Sequence, residues 1–214
     1  MRKSFYCLVD WKMLLPWMKY NLLSKGMVKR MEKFHRIFAA IDFSQRDKET
    51  LYQFAMKVKE NSVKGNFTQK DNLHLTLAFI GETRKIKEAE EALQIGVKNS
   101  LVPPFTIETK KLGRFQNKGG DILWVGLTES PELIKLNEEI TKSLRAEGFF
   151  IEEQKFKAHL TIGRGVVLQK EVTPEVLSSY LPKLSLPVNS VHLMKSERIA
   201  GKLKYSSLWE ENLS

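Results

Sequence analysis

The chain has 214 residues, 42% of them hydrophobic and 28% charged, with a net charge of +10 and a single cysteine, Cys7. That balance suits one folded α+β domain with a sizeable core and excludes a largely disordered chain. One cysteine excludes an internal disulfide and any cysteine-rich zinc site, and it fits a reducing, cytoplasmic setting.

The positive charge is unevenly placed. Residues 1–33 hold eight Lys/Arg and two Asp/Glu, a balance of +6, which leaves +4 for residues 34–214. A mildly basic body suits transient contact with a polyanion better than tight wrapping of a duplex. The first thirty residues lack the unbroken apolar run of a signal peptide, because Asp10 and Lys12 interrupt it. They are also too polar for a membrane span. Pro16 would break a regular helix across the Trp11–Tyr20 stretch. With Met27 and Met31 just ahead of a strand-like pattern, residues 1–33 are expected to be an appendage, from a start codon placed too early. A short accessory helix is the alternative.

From there the elements follow in order. FHRIFAAIDF (34–43) predicts a buried strand. Residues 46–63 place Leu51, Phe54, Ala55 and Val58 at helical spacing. Residues 73–80 predict a strand closed by Gly81, and a helix follows from Thr83 to about Asn99. Residues 105–112 and 121–127 predict two strands joined by the loop FQNKGG. Ser130 and Pro131 open a helix that Gly148 stops. Residues 156–163 predict a strand, Thr173–Pro174 a short helix to about Leu181, and residues 188–199 and 204–208 two final strands. Several connections are too short for parallel crossovers, so antiparallel pairing must contribute and the class is α+β. Residues 34–214 are expected to form a single domain.

One tetrapeptide occurs twice, as His74-Leu75-Thr76-Leu77 and His159-Leu160-Thr161-Ile162. Strand alternation puts His and Thr on one face and the aliphatic pair on the other. Two histidines flanking a phosphate can divide general base and general acid work, since either form of the ring exists near neutral pH. The threonine hydroxyls can donate to the non-bridging oxygens. Neither histidine has a metal-binding spacing such as H-x-x-x-H, so no metal or other cofactor is expected. A single histidine in a strand is more often structural than catalytic. Two of four histidines matching by chance is on the order of one in a few hundred. His35 and His192 lack the following threonine and are expected to have packing or surface roles.

The paired motifs resemble those of the two-histidine phosphoesterase superfamily. The flanking stretches RIFAAIDF, NLHLTLAFIG (72–81), GRF…GGDILWVGL (113–127) and HLTIGR (159–164), with Ser196 and Tyr205 near the end, are similar to the LigT-like RNA 2′,3′-cyclic phosphodiesterases, also called 2′-5′ RNA ligases. The resemblance covers about residues 34–214; residues 1–33 depart from it. It implies two similar lobes of antiparallel sheet with outer helices, a pseudo-twofold axis and an active-site cleft between the lobes. It implies metal-independent hydrolysis of an RNA 2′,3′-cyclic phosphate to a 2′-phosphomonoester. His74 would be the proton donor to the leaving 3′ oxygen and His159 the proton acceptor that activates water, while Thr76 and Thr161 would hold the phosphate. Arg164 is a candidate phosphate clamp, although simple alternation puts it on the Ile162 face unless Gly163 bends the strand. Phe115 and Trp124 are candidates to stack on a base, with core packing the alternative for Trp124. The expected partner is RNA with a cyclic phosphate end, with no membrane, no stable protein partner and a monomeric state. The alternatives are 2′-5′ ligation by the reverse reaction, another small cyclic phosphate as substrate, and a non-catalytic RNA-binding module.

Overall fold

The computed structural model describes residues 33–153 and 155–214. The expectations for the first thirty residues, and for Cys7, lie outside the described residues. The strands are β1 (His35–Ile41), β2 (Ser62–Phe67), β3 (Leu75–Thr83), β4 (Phe105–Phe115), β5 (Asp121–Leu127), β6 (His159–Leu168), β7 (Ser185–Val188), β8 (Ser190–Ile199) and β9 (Lys202–Asn212). The helices are α1 (Gln45–Glu60), α2 (Ile86–Ser100), α3 (Pro131–Ala146) and α4 (Pro174–Ser178), with one 3₁₀ turn at Lys70–Asn72. The fold is α+β with two antiparallel sheets, one ordered β3-β1-β8-β9 and the other β2-β6-β5-β4-β7.

Side-chain caps start three of the helices, whereas α2 begins at Ile86, after β3 has run through the Thr83 expected to open it. Ser44, Ser130 and Thr173 each cap a helix by accepting from the backbone N–H of Asp47, Leu133 and Val176. Pro131 and Pro174 occupy the first helical turn, where a missing N–H costs nothing. One apolar core joins both sheets and the helices, through Ile37, Leu75, Leu93, Leu123, Leu133, Leu160 and Leu193 among others. Helices α2 and α3 pack at close range because Gly96 has no side chain; a Cβ there would lie 2.8 Å from the Ile140 Cα.

Two strands were not expected from the sequence. The first predicted helix stops at Glu60, and Ser62–Phe67 forms the edge strand β2. Its sequence, SVKGNF, alternates poorly because an edge strand needs only one satisfied side. Residues 188–199 are not one strand. Val188 ends β7, which pairs with β4, and after Asn189 the chain enters β8, which pairs with β1 in the other sheet. Only Asn189 separates the two strands, so no loop marks the switch of sheets. Strand β3 also runs through Gly81, which takes φ +93° without ending it. Among the described residues, no helix is long and apolar enough to cross a membrane.

Candidate active site

Both motifs sit at strand beginnings: His74 immediately precedes β3, and His159 is the first residue of β6. Each strand then carries a bulge at the same distance from its histidine. On β3, Ala78 and Thr76 face successive residues Ala39 and Ala40 of β1, leaving Leu77 as the extra residue. On β6, Gly163 and Thr161 face successive residues Leu123 and Trp124 of β5, leaving Ile162 as the extra residue. A bulge resets the alternation by one position. Leu77 and Ala78 are both buried, as are Ile162 and Gly163, so Phe79 and Arg164 emerge on the threonine face. This resolves the orientation of Arg164 that simple alternation puts on the opposite face.

Groups from far along the chain donate to carbonyls at the bulges. Asn137 Nδ2 on α3 donates to the Leu77 carbonyl at 2.8 Å. The Thr68 backbone N–H donates to the Ile162 carbonyl at 2.9 Å, and its hydroxyl donates to the Thr161 carbonyl at 2.8 Å. Thr68 also begins the short segment that runs from β2 through the 3₁₀ turn to His74. The same residue therefore braces one motif and leads into the other. Strands β3 and β6 pack against each other.

The two rings are held in the same way. His74 Nδ1 lies 2.7 Å from the Asn72 carbonyl, and His159 Nδ1 lies 2.7 Å from the Lys157 carbonyl. A carbonyl only accepts, so both Nδ1 atoms carry hydrogen and both Nε2 atoms offer a lone pair when the rings are neutral. His74 Nε2 takes up the Thr76 hydroxyl at 2.9 Å. Asn72 is itself buried and clamped: its Nδ2 donates to the Leu203 carbonyl and its Oδ1 accepts from the Tyr205 N–H, both at 2.9 Å.

Aromatic side chains flank each histidine. Phe38 lies 4.9 Å and Tyr205 5.1 Å from the His74 ring, and Tyr205 stands across β8–β9 from Ser196. Phe115 lies 5.5 Å and Trp124 5.9 Å from the His159 ring. The Trp124 indole lies across β4 over Gly113, where a Cβ would meet it at 2.2 Å. Trp124 is buried at 6% exposure whereas Phe115 is 38% exposed, so Phe115 has a face free for a ligand and Trp124 packs.

Burial pushes His74 down to about 4; its bond to Asn72 and the Asp42 charge oppose the shift, and Lys48 and Arg164 add to it. Burial also lowers His159, opposed by its bond to Lys157 and reinforced by the Lys157 and Arg164 charges. Both rings are therefore neutral at neutral pH in the free protein. The Arg164 charge acts on both histidines; Thr76 bonds the His74 ring, and Thr161 shares the outward face of β6 with His159. His192 bonds the hydroxyls of Ser190 and Ser207, and His35 is half-buried on β1. Among the described residues, no group of three or more His, Cys, Asp or Glu is placed to hold a metal ion.

Asn72, Thr68, Asn137 and Phe79 escape a sequence reading. Asn72 alone left a signal, since it stands two residues before a motif histidine, as Lys157 does before the other.

The chain is similar to proteins of known family. Residues 49–200 match the 2′-5′ RNA ligase superfamily. The chain is 35% identical to an RNA 2′,3′-cyclic phosphodiesterase of Thermotoga maritima over 130 residues, 60% of this chain and 69% of that one. It is 26% identical to that of Escherichia coli over 83% of this chain and 96% of the relative. The crystal structure of E. coli LigT complexed with 3′-AMP superposes with a TM-score of 0.69 at 26% identity, covering 85% of this chain and 99% of LigT. The chain belongs to the 2′-5′ RNA ligase superfamily, among the LigT-like RNA 2′,3′-cyclic phosphodiesterases.

Proposed function

We propose that this protein hydrolyses RNA 2′,3′-cyclic phosphodiester ends to 2′-phosphomonoesters, with His74 and His159 sharing the proton transfers. The observation that carries the proposal is the pair of histidines with one tautomer, one mode of anchoring and one arginine charge acting on both. The activity is that for which the similar proteins of T. maritima and E. coli are named. The two sheets are read as two lobes related by a pseudo-twofold, and the cyclic phosphate is read as lying between the motifs.

In this mechanism His159 Nε2 takes a proton from water as the water oxygen forms the new bond to phosphorus. The bond from phosphorus to the 3′ oxygen breaks, and protonated His74 gives its Nε2 proton to that oxygen. The product carries a 2′-phosphate and a 3′-hydroxyl. His74 must first be protonated, against its burial. A bound phosphate supplies the negative charge that favours the imidazolium. The Thr76 hydroxyl then turns from His74 Nε2 to a non-bridging oxygen, where Thr161 and Arg164 join it. Phe79, 59% exposed on the threonine face, and Phe115 offer ring faces to a base.

The test is a short RNA ending in 2′,3′-cyclic phosphate, incubated with chelator present. A 2′-phosphate product is expected, at a rate that the chelator does not change. Replacing His74 or His159 by Ala should cost at least ~10²-fold. Full activity in either variant removes that histidine from the chemistry.

A further inference from the structure

Two cations beside the site are not used by these proton transfers and phosphate contacts: Lys48, which is paired with Asp42, and Lys157, which is not in an ion pair among the described residues. The position of Lys157 is closely determined. In the extended segment entering β6, Ala158 and Leu160 are buried while Lys157 and His159 turn outward. Alternation thus puts Lys157 on the histidine face, roughly 7 Å along the chain from His159. Its carbonyl holds the His159 ring, so the two residues cannot drift apart. Its ammonium sits 4.0 Å from the Trp124 ring centroid and 5.2 Å from that of Phe115. No carboxylate of the described residues forms an ion pair with it. Aromatic faces park a cation without neutralising it, which leaves the charge free for an anion.

The charge also stands to one side of the reacting centre. Lys157 lies over the Trp124 and Phe115 rings that flank His159, whereas Phe38 and Tyr205 flank His74. A second anion is therefore expected on the His159 side of the site. RNA supplies such an anion at every step of its backbone.

We infer that Lys157, on its Trp124–Phe115 platform, is a subsite for a second RNA phosphodiester next to the reacting phosphate. The inference rests on the proposed RNA substrate. The phosphodiester can belong to the strand that carries the cyclic end or to a strand presenting a 5′-hydroxyl on the His159 side. The recognising chemistry is the same.

Equilibrium binding separates these cases without turnover. Three probes are titrated against salt: a nucleoside 2′-phosphate, a tetranucleotide ending in 2′-phosphate, and a tetranucleotide with a free 5′-hydroxyl and a blocked 3′ end. The proteins are wild type, Lys157→Met, which keeps an apolar cover on the indole, and Lys157→Arg. Lys157→Met should lose about tenfold in affinity for one tetranucleotide, beyond any loss for the mononucleotide. Its log–log salt slope for that strand should fall by about 0.7, one single-strand phosphate contact. Lys157→Arg should keep both properties. The strand affected names the source of the phosphodiester.

An equal loss for mononucleotide and tetranucleotide would overturn the inference, because Lys157 would then serve the terminal phosphate. So would an unchanged slope for both strands. Wild type alone provides a check that needs no folded variant: its slope must be steeper for a tetranucleotide than for the mononucleotide, and equal slopes contradict the subsite. If RNA binds with the expected slopes but its cyclic end is not hydrolysed, the proposed activity fails and the subsite stands.

Discussion

At the residue scale, the motif histidines are the part of the site most legible in the sequence, because a repeated tetrapeptide with strand alternation already orients four side chains. Their protonation was not legible. It depends on Phe38, Tyr205, Phe115 and Trp124, which close around the rings from other strands. Burial lowers both rings in the free protein. The profile of kcat/KM reports the free enzyme and that of kcat the complex. The acid limb of kcat/KM should therefore lie below 6.5, the unperturbed histidine value. The kcat profile should lie at higher pH, since bound phosphate favours both imidazolium forms. The limbs belong to the coupled pair rather than to either ring. Coincident profiles centred at or above 6.5 would contradict this account of the burial.

At the element scale, the two bulges decide which side chains join the threonines. Arg164 could not be oriented from the sequence because alternation counts in twos, and the extra residue on β6 is set by its pairing with β5. The bonds that stabilise the bulges join residues far apart in the chain: Thr68 with Thr161 and Ile162, and Asn137 with Leu77. No local pattern announces such partners. β2 was missed for a related reason, since its role is to bring Thr68 beside β6 and not to bury an apolar face. Asn137 is buried on α3 and its amide satisfies the bulge carbonyl. Replacing it by Ala leaves the Leu77 carbonyl buried without a donor, which should cost about 1–3 kcal/mol in urea denaturation. A change within about 0.5 kcal/mol would mean that the bulge needs no such support.

At the scale of the whole molecule, the core residues and the α+β class follow from hydrophobic periodicity, while the division of the nine strands of the described residues into two sheets does not. The step from one sheet to the other is made by Asn189 alone, with no loop to mark it. The placement of two neutral, half-buried histidines at the junction of β3 and β6 has a consequence for stability. Their folded pKa values lie below that of the unfolded chain, so the unfolded state binds more protons as pH falls. The contribution is fully present above about 6.5 and is lost progressively down towards about 4. Chemical denaturation from pH 7 to pH 4 should show stability falling through this window, and substituting both histidines by Gln should flatten the fall. An equally steep fall in the doubly substituted protein would assign the acid sensitivity to other groups.

The division of labour between the rings is the central claim, and their shared tautomer does not reveal it. A substrate with sulfur in place of the bridging 3′ oxygen isolates the acid, because a thiol with a pKa of about 8.5 leaves as thiolate without a proton. The decisive measurement is the single-turnover rate of His74→Ala and His159→Ala on oxygen-bridged and sulfur-bridged cyclic ends. Most of the lost rate should return on sulfur in His74→Ala and remain lost in His159→Ala. Recovery in His159→Ala instead would exchange the two roles, and recovery in neither would contradict proton donation to the leaving oxygen as the work of this pair.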